Sequence, residues 1–185
     1  MMTYNIWNYN TNWKARLEKI SKQVEEFQPD VVAFQEVRYR FYDNLYRRAP
    51  FQVEDIAEKL GPKYQYFYRN AMTYLSREFF HEDEGHAIFS RYPIRETDYI
   101  RLTRDLDDRE DDHQRLVARA LVFSPVGFVN VLSSHLSLSE NSRKRTVIEL
   151  WNYLKLNYKN EEGEIIPQIF VGDMNGLILI FIFII

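Results

Sequence analysis

Four short apolar runs of this chain each end in side chains that can bind a metal ion or a phosphate. The polar residues at these ends are Asn5, Gln35-Glu36, His135 and Gly172-Asp173-Met174-Asn175. A buried strand delivers its last side chain to one edge of a sheet, so four such strands can gather their polar ends in one cleft. A carboxylate, an amide, an imidazole and an Asp-x-Asn pair together suit a hard divalent cation and a phosphate. The pattern therefore favours metal-assisted phosphoester hydrolysis.

The composition excludes several classes of protein. The chain has 185 residues, of which 45% are hydrophobic and 16% aromatic, which predicts one domain with a substantial core and argues against disorder. Cysteine is absent, so disulfides, thiolate zinc sites and a cysteine nucleophile are excluded. The net charge of −3 argues against a protein that binds nucleic acid by broad phosphate neutralisation, although it is compatible with a local basic groove.

The order of predicted elements indicates an α/β fold. A strand over residues 3–8, a helix over 13–27 capped by Asn12 or Thr11, and a strand over 31–35 open the chain. Further helices are predicted over 38–48, 53–60 and 140–158, the last capped by Ser139 or Glu140. Further strands are predicted over 64–69, 86–90, 98–102, 116–123, 128–134 and 165–171, and Pro125-Val126-Gly127 joins two of them in a hairpin.

Two charged regions receive ordinary structural interpretations. Lys and Arg cluster over 38–48 and 143–145, and we interpret both clusters as solvated helix faces. Residues 105–112 contain six acids, but they lack the glycine and the distal Glu of an EF-hand loop. We therefore expect a solvated loop rather than a calcium site.

The four polar ends are unspecific singly, since each has an ordinary structural explanation, but their joint order resembles the endonuclease/exonuclease/phosphatase superfamily. The matching segments are 3–6, 29–37, 84–94, 129–136 and 172–175. This resemblance covers residues 3–175. It implies a DNase I-like, four-layer sandwich of two mostly antiparallel sheets flanked by helices.

The resemblance also implies roles for individual residues. Glu36 is expected to be the main ligand of Mg²⁺, or of Mn²⁺ in its place, with Asn5 helping to hold the metal or its water. His135 would contact the scissile phosphate, and Asp173 would orient or deprotonate the attacking water. Asn175 would bond to a phosphate oxygen, and Glu84 either orients His135 or is an ordinary loop residue. Asn5, Glu36, His135, Asp173 and Asn175 are expected to converge at one end of the sheets.

The end of the chain departs from the family pattern. Relatives carry a further Asp and a terminal Asp-His pair on later strands, and no residue after Asn175 supplies them. We expect residues 1–175 to be a partial domain without its last strands, and the apolar tail 176–185 to result from truncation or read-through. Nine apolar residues are too few for a membrane-spanning helix, which needs about 20.

Two functions from different classes remain open. The first is a phosphodiesterase or phosphatase, with negligible turnover by these 185 residues themselves. The alternative is a non-catalytic remnant that acts as a binding module. The substrate could be a small phosphoester, a phospholipid head group or a nucleic acid, and we expect a monomer. The sequence predicts no compartment.

Overall fold

The computed structural model describes residues 1–41, 51–75 and 81–176. Two compact units follow each other along the chain, the first formed by Met1–Arg91 and the second beginning at Tyr92. The apolar residues 177–185 and part of the helix predicted over 38–48 lie outside the described residues. Within the described residues, no helix is both long and apolar enough to cross a membrane. The prediction of one partial domain over 1–175 stays a prediction.

The first unit is a four-stranded sheet with two helices against it. Its elements are β1 (Met2–Asn5), α1 (Trp13–Phe27), β2 (Val31–Phe41), α2 (Gln52–Leu60), β3 (Gln65–Leu75) and β4 (His81–Ser90). The strand order is β1-β2-β4-β3, in which β1 pairs with β2 in parallel and the other pairs are antiparallel. The core lies between the sheet and the helices. Its central side chains are Leu17, Ile20, Val24, Val32, Phe34, Ile56 and Phe89.

Helix α1 has the bounds that its sequence predicts. The Asn12 side chain accepts a hydrogen bond from the Ala15 N–H at 3.1 Å, which satisfies one of the first free backbone donors of the helix. Leu17, Ile20 and Val24 are buried at helical spacing against the sheet. The strand before it is shorter than predicted: β1 ends at Asn5, because Trp7 and Asn8 adopt positive φ angles of 55° and 42° that an extended strand cannot contain.

Strand β2 corrects the prediction of a helix that begins at Arg38. The strand continues to Phe41, and Arg38 and Arg40 pair across to Glu84 and Glu82 on β4. The Arg38 side chain is 19% exposed and the Glu82 side chain 2% exposed. Val37 and Tyr39 alternate with these arginines, a strand pattern that cross-strand charge pairs stabilise. The interpretation of Arg38 and Arg40 as part of a solvated helix face is therefore wrong.

A β-bulge interrupts β2 where the candidate metal ligand lies. The register shifts between Phe34 and Val37, so that Gln35 and Glu36 occupy the bulge, and Glu36 has a φ of +58°. Opposite the bulge, a Cβ on Gly85 would lie 2.0 Å from the Arg69 carbonyl oxygen, so only glycine fits there. Bulges re-aim side chains at sheet edges and near active sites, and this one gives Glu36 a direction that regular alternation would not.

The second unit is also a four-stranded sheet, with one helix against it. Its elements are β5 (Ile94–Arg101), β6 (Leu116–Ser124), β7 (Gly127–His135), α3 (Glu140–Leu156) and β8 (Gln168–Asp173). The order is β5-β6-β7-β8, in which β7 and β8 are parallel and the other pairs are antiparallel. Pro125 and Val126 form the predicted hairpin turn. Its core side chains are Leu102, Val117, Leu132, Leu136, Leu150, Tyr153, Leu154 and Phe170.

Each sheet thus has two antiparallel pairings and one parallel pairing, and helices pack against it. The predicted α/β class with two mostly antiparallel sheets is confirmed. The predicted N-cap of α3 is confirmed as well, since the Ser139 hydroxyl accepts a hydrogen bond from the Ser142 N–H at 3.1 Å. The helix ends at Leu156, two residues earlier than predicted.

Candidate active site

Two asparagine side chains hold the Glu36 carboxylate in the first unit. Asn5 Nδ2 donates to Glu36 Oε1 at 2.9 Å, and Asn8 Nδ2 donates to Glu36 Oε2 at 2.8 Å. Asn5 is oriented in turn, because its Oδ1 accepts from the Trp7 N–H at 2.9 Å. Glu36 makes no direct ion pair with a Lys or Arg among the described residues. Arg16 lies within electrostatic range, since burial lowers the pKa of Arg16 and the charge of Glu36 partly opposes this shift. The hydrogen bonds that orient the carboxylate come from neutral groups.

The loop after β1 is held rigidly around this carboxylate. The Asn8 carbonyl oxygen accepts from Arg16 Nη2 at 2.5 Å and from Gln52 Nε2 at 2.7 Å. Gln52 Oε1 accepts from the Arg38 N–H at 2.9 Å, which links the loop to β2 just beyond the bulge. Asn8 and Gln52 are buried, so these contacts are protected from competing water.

Sequence reasoning found Asn5 and Glu36 but missed Asn8. The available signal was the asparagine-rich stretch 8–12, in which residue 8 is predicted to end a strand and only Asn12 or Thr11 is assigned a role, as a helix cap. Asn tolerates the positive φ that this loop requires, and that conformation directs its amide at Glu36. Asn8 and Glu36 are 28 residues apart in the sequence, so no local pattern indicates their contact.

Glu84 lies in the first unit with a cationic partner. Its Oε2 accepts from Arg38 Nε at 2.8 Å, and Glu82 accepts from Arg38 Nη1 at 2.9 Å and Arg40 Nε at 2.5 Å. Both carboxylates are buried, so the arginines compensate charges that would otherwise be costly there. The predicted action of Glu84 on His135 stays a prediction.

His135, Asp173 and Asn175 lie together in the second unit. His135 ends β7 and Asp173 ends β8, and the parallel register places them side by side with His135 Nε2 3.8 Å from Asp173 Oδ2. Asn175 bonds back to this pair: its N–H donates to Asp173 Oδ1 at 3.0 Å, and its Nδ2 donates to the Leu136 carbonyl oxygen at 2.8 Å. The structure therefore brings these three predicted residues together at one end of the β7–β8 pair.

A glycine makes this close pairing possible. Gly172 lies beside Ser134 with a φ of +146°, and a Cβ built there would meet the Ser134 carbonyl oxygen at 1.8 Å. The Asp173 carbonyl oxygen then accepts from the Leu136 N–H at 2.9 Å. The glycine of Gly-Asp-Met-Asn is thus needed for the strand spacing that sets Asp173 against His135.

His135 is a neutral imidazole at physiological pH. It is 8% exposed, and burial together with the charge of Arg115 lowers the pKa of His135 from 6.5 to about 4, although Asp173 opposes this shift. Arg115 directly precedes β6, which pairs with β7, and sequence reasoning did not single it out. No local pattern marks Arg115, because its proximity to His135 depends on the pairing of two distant segments.

The buried neutral His135 predicts a dependence of stability on pH. Between pH 6.5 and 4 the unfolded chain binds a proton at His135 that the folded protein does not, so the free energy of unfolding falls as the pH is lowered. From pH 7.5 to 5, urea unfolding should show a loss about 2 kcal/mol larger for the wild type than for His135→Gln. An equal loss in both proteins would show that His135 titrates normally.

The acidic segment 105–112 is a largely exposed loop, as predicted, but Asp111 within it is buried. Asp111 is 1% exposed and accepts from the Asp105 N–H at 2.7 Å and from Arg145 Nη2 at 3.2 Å. Burial raises its pKa, but these hydrogen bonds, others from Ser137 and Ser142, and the charge of Arg145 hold the pKa of Asp111 below its usual range. The segment therefore fastens to α3 through a basic residue that we had assigned to a solvated face.

The comparison with protein families decides the classification. The family model described as the endonuclease/exonuclease/phosphatase family matches residues 2–176. The chain belongs to this family. This match confirms the resemblance drawn from the sequence.

Solved structures of the endonuclease/exonuclease/phosphatase family show the same fold. A mannosyl-6-phosphatase from Bacteroides thetaiotaomicron VPI-5482 is 20% identical, with a TM-score of 0.68 over 94% of this chain and 64% of its own. A family protein from Leptotrichia buccalis C-1013-b is 17% identical, with a TM-score of 0.68 over 95% and 67%. ANGEL2, a 2′,3′-cyclic phosphatase, is 18% identical, with a TM-score of 0.67 over 94% and 51%. The predicted DNase I-like sandwich class is confirmed.

This chain spans between half and two thirds of the length of these three family members. Within the described residues, no group of three or more His, Cys, Asp or Glu side chains could hold a metal ion. The roles assigned to Asn5, Glu36, Glu84, His135, Asp173 and Asn175 stay predictions, as does the convergence of the two residue groups.

Proposed function

We propose that this chain contributes metal-binding and phosphate-binding residues to a divalent-metal-dependent phosphoester hydrolase domain that acts on a small phosphoester. The observation that carries the proposal is the Glu36 carboxylate, which two neutral amides orient and which forms no direct ion pair within the described residues, although the charge of Arg16 acts on it at longer range. A half-buried carboxylate without a cation in direct contact is a favourable place for a metal ion.

The donor set fits Mg²⁺, with Mn²⁺ as the nearest substitute. Mg²⁺ is usually bound by one or two carboxylates and keeps several waters, so a site need not contain three acidic or imidazole ligands. Glu36 would hold the ion, and Asn5 would hold the ion or one of its waters. When bound, the metal would polarise a phosphoryl oxygen and offset the charge that develops on it. Asn8 would orient Glu36 from outside the coordination shell.

The second group of residues supplies the chemistry that acts on the phosphoester. Neutral His135 donates a hydrogen bond from one ring nitrogen, and this suits an oxygen on which negative charge develops. Asp173 accepts a proton or a hydrogen bond from the attacking water. Burial keeps the neighbouring His135 in its neutral form. Asn175 offers an amide to a phosphate oxygen. Catalysis in this proposal consists of positioning and charge stabilisation.

The proposed substrate class is small, because the net charge of −3 gives little attraction for a long polyanion. One of the similar structures is described as a mannosyl-6-phosphatase, a name that denotes a sugar phosphate as its substrate. A phospholipid head group or a nucleic acid remains an alternative, which a comparison of substrates in the same assay would decide.

Replacement of Asn8 tests whether the metal site is supported as proposed. Asn8→Ala removes the amide from Glu36 Oε2, and loss of such an outer partner weakens metal binding by about 10–100-fold. Titration calorimetry with Mg²⁺ and Mn²⁺ measures the change. Asn10→Ala is the matched control, since it removes an exposed amide of the same loop. Equal affinities in the wild type and Asn8→Ala would contradict the proposed support of Glu36.

Turnover of a phosphoester distinguishes the proposed hydrolase from the alternative, a non-catalytic binding module. An enzyme hydrolyses a reporter phosphoester such as bis-p-nitrophenyl phosphate in a metal-dependent way, whereas a remnant that acts as a binding module binds metal or phosphate without turnover. We keep the prediction of negligible turnover by these 185 residues. The proposal is therefore tested first on binding. It fails if the protein binds no divalent cation through Glu36.

A further inference from the structure

An exposed tryptophan lies in the loop that surrounds Glu36. Trp7 is 53% exposed, although it follows directly after a buried core residue, Ile6. Its φ of +55° is a conformation that bulky side chains rarely adopt and that usually reflects a structural or functional constraint. Single exposed aromatic residues are ordinary on protein surfaces, so exposure alone indicates nothing. The contacts of Trp7 are what distinguish it.

The backbone ties Trp7 to the candidate metal ligand. The Trp7 N–H donates to Asn5 Oδ1 at 2.9 Å, and Asn5 Nδ2 donates to Glu36 Oε1 at 2.9 Å. On the other side, Asn8 Nδ2 donates to Glu36 Oε2. Asn5 and Asn8, which flank the Ile6–Trp7 segment, thus bond to the same carboxylate. Two hydrogen bonds link the Trp7 backbone to Glu36 through Asn5.

A stack of side chains supports the indole from one side. The Arg16 guanidinium carbon lies 5.8 Å from the ring centroid of Trp7 and 5.8 Å from that of Trp13. Arg16 is fixed by its bonds to the Asn8 carbonyl oxygen at 2.5 Å and the Thr11 hydroxyl at 2.7 Å. Trp13 is fixed by donation from Nε1 to Asp55 Oδ2 on α2 at 2.7 Å. The quadrupole of the ring attracts the cation in such a contact, which helps to hold the exposed indole in place.

This arrangement has the properties of a binding platform. A flat aromatic surface is held by a strained but well-bonded backbone and leaves about half of its area exposed. It rests on the Arg16 guanidinium, which interacts electrostatically with the carboxylate assigned to the metal. A planar ring on a ligand can stack on that surface, and stacking tolerates any base because every base has a π-face. A small aliphatic phosphoester would leave the indole uncovered.

We propose that Trp7 contacts the group attached to the scissile phosphate and selects phosphoesters that carry a planar ring, which identifies nucleotides as the substrate class. The inference rests on the proposed function, since Glu36 marks where the phosphate would bind. Trp7 is a specificity residue and takes no part in bond cleavage.

The test compares two ligands, of which only one carries a planar base. Adenosine 5′-monophosphate and ribose 5-phosphate share the sugar and the phosphate, and calorimetric titration of the whole chain with each in the presence of Mg²⁺ isolates the contribution of the base. The wild type should bind the nucleotide about tenfold more tightly. Trp7→Ala should abolish this preference and leave the affinity for ribose 5-phosphate unchanged, whereas Trp7→Phe should keep most of it.

Two further variants separate stacking from loss of structure. Asn tolerates a positive φ, so Trp7→Asn removes the ring without straining the loop, and it should behave like Trp7→Ala. Trp151→Ala removes a 39% exposed tryptophan from α3 and should leave the preference for the nucleotide intact. Circular dichroism confirms that each variant is folded.

The inference is overturned if the wild type binds both ligands equally or binds no nucleotide, or if Trp7→Ala weakens both ligands alike. Failure of the proposed function gives a different result. In that case Mg²⁺ binding does not depend on Glu36, while the ratio of the two affinities still reports on Trp7.

Discussion

Gly172→Ala is expected to lower the free energy of unfolding by about 3 kcal/mol or more, because two separate costs add at this position. The new Cβ would lie 1.8 Å from the Ser134 carbonyl oxygen, so β7 and β8 must move apart. The φ of +146° is also one that side chains other than glycine rarely adopt. Since Asp173 follows directly, the displacement should also separate it from His135.

Urea unfolding followed by circular dichroism measures the first effect, and Gly163→Ala is the matched control. Gly163 lies in the same unit with a φ of +81°, but a Cβ there has no atom within 4 Å. The control therefore carries backbone strain without the clash and should cost about 1 kcal/mol. If the two variants lose the same stability, close packing of Gly172 on Ser134 is not what holds the pair of strands.

Glu36→Gln is expected to weaken Mg²⁺ and Mn²⁺ binding at least about 100-fold, because it removes the carboxylate on which the proposed site depends. The amide is nearly isosteric, so the fold should be retained. Glu36→Asp keeps the charge but withdraws it from the Asn5 and Asn8 amides, and an intermediate affinity is expected. Calorimetry measures affinity directly, and the stabilisation of the wild type by added Mg²⁺ provides an independent readout.

Glu18→Gln is the control for the loss of one negative charge. Glu18 lies in the same unit, its side chain is 56% exposed, and it pairs with Lys59. Its replacement should leave metal binding unchanged. If Glu36→Gln binds Mg²⁺ as tightly as Glu18→Gln does, the carboxylate of Glu36 is not the anchor and the metal assignment is wrong.

Local signals predicted α1, α2 and α3 well. Asn12 and Ser139 are side chains that cap helices by bonding to backbone donors two or three residues ahead, and both caps are present. The spacing of Leu17, Ile20 and Val24 defined the buried face of α1. The ends of the apolar runs also located His135 and Asp173 at the ends of β7 and β8.

The errors arose where distant segments determine the structure. Arg38 and Arg40 belong to a strand because Glu84 and Glu82 lie opposite them, and those acids are more than forty residues away along the chain. Asp111 is buried because Arg145 reaches it from α3. Asn8 bonds to Glu36 only after the loop adopts positive φ angles. Patterns within a short window carry no information about such partners.

The most direct test of the proposed function is the affinity of the protein for orthophosphate with and without Mg²⁺. If Glu36 and His135 serve one reaction, Mg²⁺ should strengthen the binding of phosphate, and phosphate should strengthen the binding of Mg²⁺ by the same factor. We expect Mg²⁺ to raise phosphate affinity in the wild type, Glu36→Gln to abolish this increase, and His135→Gln to weaken phosphate binding itself. Phosphate binding that is equal with and without Mg²⁺, and equal in all three proteins, would contradict a metal-dependent phosphoester hydrolase.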